Sequence, residues 1–234
     1  MITISEIRKR LDQEQLAPCS VDPIATGELE NADGEIKEYQ LFEGWDLVRA
    51  NQCDLEWGNF NLSLLEFIEN QSYSQSELEE IEGYIQLDDS HWEWLKKSCI
   101  WKSNEYKWFF LYVDNYPQSA CVVYHPKSSA ILEEKEIYYV EFLAAAPWNR
   151  KNPMCTQLYK RVGKLTLQHV QKYCSDTLNW NLGFSLHSLP KAESYYIHLG
   201  MTSFRDFDKK INESTTLRYF EMLEEPANLF VRES

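Results

Sequence analysis

The chain has 234 residues, of which 44% are hydrophobic and 14% aromatic, the composition of a folded protein with a sizeable core. Its formal net charge of −14 opposes binding to nucleic acid, whose phosphates attract clustered lysine and arginine, and no stretch approaches the roughly 18 apolar residues of a membrane span. We therefore expect a globular protein that binds neither nucleic acid nor membrane. The acidic surface favours a cationic partner, either an amine-bearing small molecule or a basic peptide, unless the charge only maintains solubility.

The first ten residues lack the apolar core of a signal peptide and predict a short amphipathic helix, so the cytoplasm is the expected location. The six cysteines are scattered, with no Cys-x-x-Cys and no histidines at metal-ligand spacing. We expect reduced thiols and no bound metal. No pattern in the chain indicates an oligomeric state.

Residues 1–89 are predicted to form a mainly helical N-terminal extension of unknown role. Apolar residues three and four apart predict helices over 62–68 and 76–85, with Ser76 as the N-cap of the second. A third helix is predicted to begin at Asp89 or Ser90 and to carry Trp92 and Trp94 as core anchors against the following sheet.

Residues 90–234 are predicted to form the main domain, within which the hydrophobic period changes to that of β-strands from Lys107 onwards. Strands over 108–113 and 120–124 form a hairpin with its turn at 114–117. A strand over 138–146, a crossover helix over 163–174, a strand over 182–187 and a last strand over 216–223 follow. Antiparallel strands combined with one crossover predict an α/β (α+β) fold, a mixed and mostly antiparallel twisted sheet flanked by helices.

Glu141 is a single carboxylate within the apolar run 138–146. Burial of a carboxylate disfavours its charged form and raises its pKa towards neutrality, which suits a general base. The alternative is a carboxylate at a strand edge that is paired with an arginine or lysine.

A ligand site is predicted where this strand ends. The small residues Ala144, Ala145 and Ala146 leave room for an extended ligand beside the backbone. A basic group follows, close to the predicted start of a helix: Asn149, Arg150, Lys151, Lys160, Arg161 and Lys164. Lysine, arginine and backbone N–H groups at a helix start can hold a pyrophosphate, although a solvated basic loop has the same sequence pattern.

Residues 90–223 resemble the GNAT superfamily of acyl-coenzyme A-dependent N-acyltransferases. The resemblance rests on the strand with Glu141, on the segment 144–150, on the helix start at 159–163, and on the segment 186–201. The most specific match is the spacing of Ala192, Tyr196 and Gly200, and a bacterial subgroup with Ala-Pro-Trp-Asn-Arg and His-Ser-Leu-Pro is most similar.

The resemblance implies direct acyl transfer, usually of acetyl, from acyl-coenzyme A to a primary amine without a metal. Glu141 would be the general base, Tyr196 would protonate the coenzyme A thiolate, and His187 would assist as a base or bind substrate unless it is structural. The remaining implied residues would contact the cofactor, through the pantetheine arm or the pyrophosphate: Leu143, Ala144, Ala145, Asn149, Arg150, Lys160, Arg161, Val162, Gly163 and Lys164.

The phosphate loop departs from the family pattern of Arg or Gln, two residues, Gly, one residue, then Gly or Ala. In the preferred register, 158–163, Arg161 replaces the first glycine and only Gly163 is retained. The other register, 150–155, keeps Arg150 but loses both glycines and introduces Pro153, which has no N–H.

Two other functions stay open at this point. Arg161 favours a catalytically inactive GNAT-fold protein that has lost coenzyme A and acts in regulation or protein interaction. The net charge alone would suit an acidic mimic of nucleic acid that blocks a DNA-binding protein.

Overall fold

The computed structural model describes residues 3–213 and 215–232. The α-helices in this part of the chain are α1 (Ile4–Asp12), α2 (Leu47–Asn70), α3 (Gln75–Tyr84), α4 (Trp94–Ile100), α5 (Val162–Asp176), α6 (Glu193–His198) and α7 (Glu224–Arg232). The strands are β1 (Ala25–Glu30), β2 (Ile36–Glu43), β3 (Tyr106–Val113), β4 (Tyr116–Ser128), β5 (Glu136–Ala145), β6 (Phe184–Ser188), β7 (Thr202–Ser203), β8 (Lys209–Lys210) and β9 (Thr216–Met222).

These strands form a nine-stranded sheet over the described residues, in the order β1-β2-β3-β4-β5-β6-β9-β7, and β8 pairs with β9. β5 and β6 run parallel, whereas β1–β2, β2–β3, β6–β9, β7–β9 and β8–β9 are antiparallel. The predicted α/β fold with a mixed, mostly antiparallel sheet is confirmed.

The hairpin of β3 and β4 has a tighter turn than the sequence predicted. Asp114 and Asn115 have φ values of 49° and 65°, and positive φ at both central residues is the geometry of a two-residue type I′ turn. Pro117, which was predicted to lie in the turn, belongs to β4.

Side-chain caps fix where the helices begin. α3 begins after Ser74, which forms a reciprocal capping box with Glu77, so the predicted N-cap Ser76 is wrong. α4 begins at Trp94 rather than at residue 89 or 90. Its first two N–H groups, of Trp94 and Leu95, donate to the Asp54 carboxylate at 2.5 and 3.0 Å. The cap of α4 comes from another helix, which a local sequence pattern does not show.

The chain divides into two compact units, which are described separately. Unit 1 consists of Met1–Ser103, Trp108–Ala120 and Ala144–Val162, and unit 2 consists of Asn104–Lys107, Cys121–Leu143 and Gly163–Ser234. The N-terminal part contains the predicted helices and also the hairpin β1–β2, which pairs through β2 with β3. This hairpin was not predicted from the sequence, because its outer face is charged. A domain boundary at residue 89 stays a prediction.

The core of unit 1 is built on tryptophan. Trp94 is 2% exposed, and its ring lies edge-on to Trp57 and Trp108, with centroid distances of 5.6 and 6.4 Å. Trp108 is a residue of β3, so the predicted packing of Trp94 against the sheet is confirmed. Trp92 is only half-buried.

The core of unit 2 lies on one face of β5, β6 and β9, which α5, α6 and α7 cover. Phe184 stacks on Tyr138 at 5.3 Å and contacts Phe230 of α7 at 6.3 Å. Phe220 contacts Tyr196 of α6 at 5.9 Å. The helices therefore occupy the apolar face of these three strands, and the opposite face carries the polar residues described below.

Within the described residues, no helix has the length and apolar character that crossing a bilayer requires, and no cluster of metal-ligating side chains is found. All six cysteines are free thiols.

Candidate active site

β5 and β6 part where the sequence places the ligand site. Their described pairing covers three positions and ends with Val140 opposite Leu186. β5 continues for five residues to Ala145, whereas the last two residues of β6, His187 and Ser188, pair with β9. An extended ligand can hydrogen-bond to the backbone of a strand where the neighbouring strand departs. Leu143, Ala144 and Ala145 lie on this continuation of β5.

Glu141 is the first residue of β5 beyond the last described pair, and it is half-buried. It shares a face of the strand with Tyr139, two residues earlier. Burial, together with the negative charge of Glu141, raises the pKa of the Tyr139 phenol. A raised pKa for Glu141 itself stays a prediction.

His187 is held by hydrogen bonds at both ring nitrogens. Nε2 lies 2.9 Å from the carbonyl oxygen of Phe207, and Nδ1 lies 2.8 Å from the Tyr139 hydroxyl. Because a carbonyl only accepts, Nε2 carries the proton and Nδ1 accepts from Tyr139. Burial lowers the pKa of His187, which favours this neutral form. The ring nitrogen of His187 that would accept a proton from a substrate is therefore already bonded to the Tyr139 hydroxyl.

The same face of the sheet carries a buried carboxylate on β9. Glu221 is 1% exposed and accepts hydrogen bonds from the hydroxyl of Ser129, the N–H of Ala130 at 3.0 Å and the hydroxyl of Tyr219 at 2.7 Å. These three hydrogen bonds replace the ones that the Glu221 carboxylate would form with water. The network fixes the loop after β4 against the polar face.

Asn149 and Arg150 contact protein groups in unit 1. Arg150 binds the Asp89 carboxylate through both terminal nitrogens, at 2.5 and 2.6 Å. It also donates twice to the carbonyl of Ala145, at 2.9 and 2.7 Å, and once to that of Gln86. These contacts use all of the donor directions of the guanidinium group. Arg150 is thus a structural residue, and this geometry speaks against the phosphate register 150–155.

Asn149 is likewise committed to the fold. It is 7% exposed, its amide nitrogen donates to Gln118 Oε1 at 2.9 Å, and its oxygen accepts the N–H of Tyr159 at 3.0 Å. This last bond ties the two ends of the loop 150–158 together. Both polar atoms of the Asn149 side chain are therefore bound to protein groups.

The segment 160–164 has a different character. Lys160 and Arg161 are exposed, and α5 begins directly after them at Val162. Arg161 has a φ of 60°, in the left-handed region that favours glycine. This is the position at which the family pattern has its first glycine in the register 158–163. The backbone thus keeps a glycine-like conformation although the residue is an arginine.

Lys164 and Gly163 lie in the first turn of α5. The Lys164 ammonium group lies 6.0 Å from the centroid of Phe230 and the residue is half-buried. The first N–H groups of an α-helix have no partner within the helix and attract anions.

Two consecutive tyrosines of α6 have different surroundings. Tyr196 is 8% exposed and packs on Phe220. The hydroxyl of Tyr195 is buried without a hydrogen-bond partner in the described structure, and burial raises its pKa. It lies 3.5 Å from the position that a Cβ of Gly163 would occupy. Tyr195, rather than Tyr196, therefore directs a phenol at the start of α5.

Three features of the site were not predicted from the sequence: Tyr195, the Tyr139–His187 pair and the Glu221 network. The alternation of Tyr139 with Glu141 and of Tyr219 with Glu221 was a usable signal, since it places polar residues on one face of each strand. No local signal distinguishes Tyr195 from Tyr196, because the direction of each ring depends on how α6 packs.

No protein-family model and no curated protein sequence matches the chain. Solved structures do match. An uncharacterized protein from Bacillus halodurans aligns with a TM-score of 0.50 at 10% identity, over 91% of this chain and 97% of that one. FdhC, described as a nucleotide-linked sugar GNAT, aligns with a TM-score of 0.45 at 14% identity over the same shares.

The GNAT domain of S. lividans PAT aligns with a TM-score of 0.45 at 11% identity, over 84% of this chain and 96% of that domain. At 10% identity the alignment with the Bacillus halodurans protein shows a shared fold and gives no information on substrate. The chain has this mixed α/β fold, and its relation to the GNAT superfamily stays what the sequence resemblance implies.

Proposed function

We propose that this protein transfers an acyl group, usually acetyl, from acyl-coenzyme A directly to a primary amine. The observation that carries the proposal is the end of the described β5–β6 pairing at Val140 and Leu186, with Glu141 directly beyond it. The backbone beyond that point offers an edge for the amide groups of a pantetheine arm.

The pyrophosphate of the cofactor would bind at the start of α5. The N–H groups of the first turn supply donors, and Lys160, Arg161 and Lys164 supply positive charge. The left-handed φ of Arg161 favours this reading, because it preserves the backbone path that glycine takes at this position in the family pattern. Asn149 and Arg150 are left out of the proposed set since their side chains bind protein groups.

The coenzyme supplies the acyl group as an activated thioester. Glu141 would take a proton from the amine, whose nitrogen forms the new bond to the acyl carbon as the carbon–sulfur bond breaks. The sulfur then needs a proton, and a phenol can supply it. The sequence resemblance gives this role to Tyr196, whereas the Tyr195 hydroxyl faces Gly163 at the proposed pyrophosphate site, a pantetheine arm away from the sulfur.

Calorimetric titration with acetyl-coenzyme A tests the first step. We expect micromolar binding that weakens as salt is raised, since phosphate contacts with lysine and arginine are screened. Lys160→Ala should weaken binding, and Lys172→Ala, in the last turns of α5, serves as the matched control. An absence of heat at millimolar cofactor would reject the enzyme assignment.

Release of the free thiol with a panel of primary amines tests the chemistry. Glu141→Gln should leave cofactor binding intact and lower turnover by about 10²- to 10⁴-fold, the usual contribution of a general base. Tyr196→Phe should lower turnover by at least about tenfold and Tyr195→Phe by less. The reverse order for the two tyrosines would give the role to Tyr195, and unchanged turnover of Glu141→Gln would remove that residue from the mechanism.

A second candidate is a catalytically inactive GNAT-fold protein with a regulatory or interaction role. Two observations favour it: Arg150 is bound to Asp89, and the Cβ of Arg161 stands where the family pattern has glycine. The same titration distinguishes the two functions, since an inactive protein of this kind would not bind acetyl-coenzyme A.

A further inference from the structure

Unit 1 contains a cavity of about 50 Å³ that the proposed transfer chemistry does not use. One wall is a single face of α2, because Asp54, Trp57, Gly58 and Asn61 recur at intervals of three and four residues. The segment 89–94 contributes to the other wall. A cavity of this size has room for about three or four water-sized positions.

No steric contact requires a glycine at position 58, which borders the cavity. No atom lies within 4 Å of the position that a Cβ would occupy at Gly58. Glycine is unfavourable within a helix, and close approach of another backbone is the usual reason for it. Since nothing approaches Gly58, the space beside it is what the glycine provides.

Two oxygen-bearing groups of the α2 wall face this space. The side-chain oxygen of Asn61 is buried and has no hydrogen-bond partner within the described chain. Asp54 accepts two backbone N–H bonds from α4, and no salt bridge to it is present among the described residues. The other carboxylate of the lining, Asp89, is bound to Arg150. Arg8 adds a positive charge that acts on Asp54, so Asp54 is the carboxylate of the lining without a direct ion-pair partner among the described residues.

Indole rings form another part of the lining, which also includes Arg150, the partner of Asp89. Trp57 and Trp92 both lie edge-on to Trp94, with centroid distances of 5.6 and 5.9 Å, and the Lys97 ammonium group lies 4.7 Å from the Trp92 centroid. Indole rings attract cations through their π-electrons, and the attraction is larger where water is excluded. A carboxylate, an unpaired amide oxygen and indole rings together form a lining that suits a group with positive charge and several N–H donors.

We propose that this cavity binds a small organic cation, a primary ammonium group. The ammonium would donate to Asp54 and Asn61 and lie against the indole rings. This function is independent of acyl transfer, because every residue of the lining belongs to unit 1, whereas Glu141 and Tyr195 belong to unit 2. Loss of either function would therefore leave the other intact.

The test is a calorimetric titration of the full chain with methylammonium chloride, compared with sodium chloride at equal ionic strength. We expect saturable binding of methylammonium in the millimolar range and none of sodium. Asp54→Asn should weaken binding by at least tenfold, whereas Glu69→Gln, an exposed carboxylate of the same helix, should not change it. Equal responses to the two salts would mean that the cavity holds water only, and would overturn the proposal.

Gly58→Leu provides a second variant, because its side chain fills the cavity and should abolish binding. Gly83→Leu is the matched control, since Gly83 is an exposed helical glycine that also has nothing within 4 Å of its Cβ position. If Gly58→Leu fails to fold, Gly58→Ala tests the same point with less volume and should weaken binding. Binding that persists in a folded Gly58→Leu protein would contradict the assignment. Titration of each variant with acetyl-coenzyme A separates this outcome from failure of the proposed transferase.

Discussion

The two ends of the segment between β5 and α5 differ in what their polar side chains do. At Asn149 and Arg150 the polar groups are buried or half-buried and bound to protein partners. At Lys160 and Arg161 the cations are exposed, and the backbone of Arg161 is in the left-handed region. The sequence analysis assigned both ends to phosphate binding.

The difference shows that a cationic side chain near a predicted ligand site can either pair with groups of the protein or remain available to bind an anionic ligand. Arg150 binds a carboxylate and two carbonyls, and these partners come from positions 86, 89 and 145. Positive charge that is already paired within the fold adds little to anion binding. The end with exposed charge and a helix start is therefore the better candidate for the phosphate group.

The largest effect that distinguishes the two ends is expected from Arg150→Ala. Removing one partner of a largely buried ion pair leaves Asp89 without compensation and should lower the free energy of unfolding by about 3–5 kcal/mol. Arg161→Ala should change it by no more than about 0.5 kcal/mol, because the side chain is exposed. Urea denaturation measures both values. A loss below about 1 kcal/mol for Arg150→Ala would contradict the structural role of that residue.

Asn149→Ala should have the next largest effect. The substitution leaves the buried N–H of Tyr159 without its partner and removes one of the two donors to Gln118 Oε1, which keeps Trp148, so we expect a loss of about 2 kcal/mol. The control is Asn152→Ala, whose side chain accepts N–H groups in the less buried part of the same loop and which should lose less than about 1 kcal/mol. Equal losses in urea denaturation would mean that Asn149 does not anchor the loop more firmly than Asn152.

Asp54 extends the comparison to a carboxylate whose hydrogen-bond donors are backbone groups rather than an arginine. Burial raises the pKa of Asp54 to about 6, from an ordinary value of 3.8. The folded state then holds the proton more tightly than the unfolded state. Stability associated with this group is fully present below the unfolded pKa and is lost as the pH rises through about 6.

We therefore expect the free energy of unfolding to be about 1–1.5 kcal/mol greater at pH 5 than at pH 7.5 through this group alone. The measurement is the difference between wild type and Asp54→Asn across this pH range, since other groups titrate equally in both proteins. Parallel stability curves for the two proteins would show that Asp54 has an ordinary pKa in the folded state.

Much of the fold followed from the hydrophobic period. The strands β3, β4, β5 and β9 are apolar and β-branched or aromatic, and their positions were predicted within a few residues. The hairpin β1–β2 was not predicted, because Glu28 and Glu38 face each other on its exposed side and weaken the strand pattern. The hydrophobic pattern thus identified strands that are mostly apolar. It did not identify strands whose outward-facing residues are charged.

The described β5–β6 pairing ends where the sequence predicted the ligand site, whereas the contacts of several predicted site residues did not follow from the sequence. Glu141 and the end of β5 followed from a carboxylate in an apolar strand and from the alanines after it. The partners of His187 and Arg150 did not follow, since Phe207 and Asp89 come from distant positions in the chain. The choice between Tyr195 and Tyr196 also depended on packing, because neighbouring residues on a short helix point in directions that only the tertiary structure determines.

The smallest expected effect concerns the backbone of Arg161 and needs two variants. Arg161→Gly removes the side chain and the strain of a left-handed φ, whereas Arg161→Ala removes the charge and keeps the strain. We expect Arg161→Gly to be more stable than Arg161→Ala by about 1 kcal/mol in urea denaturation. Equal stabilities would mean that the loop relaxes and that no strain is stored at this position.

Acetyl-coenzyme A titration of the same two variants then separates the roles of charge and shape at Arg161. If the arginine contributes only charge to phosphate binding, both variants should bind equally and less tightly than wild type by less than about tenfold. Tighter binding by Arg161→Gly alone would instead show that the Cβ obstructs the approach of the pyrophosphate, and would favour an inactive interaction protein as the natural function.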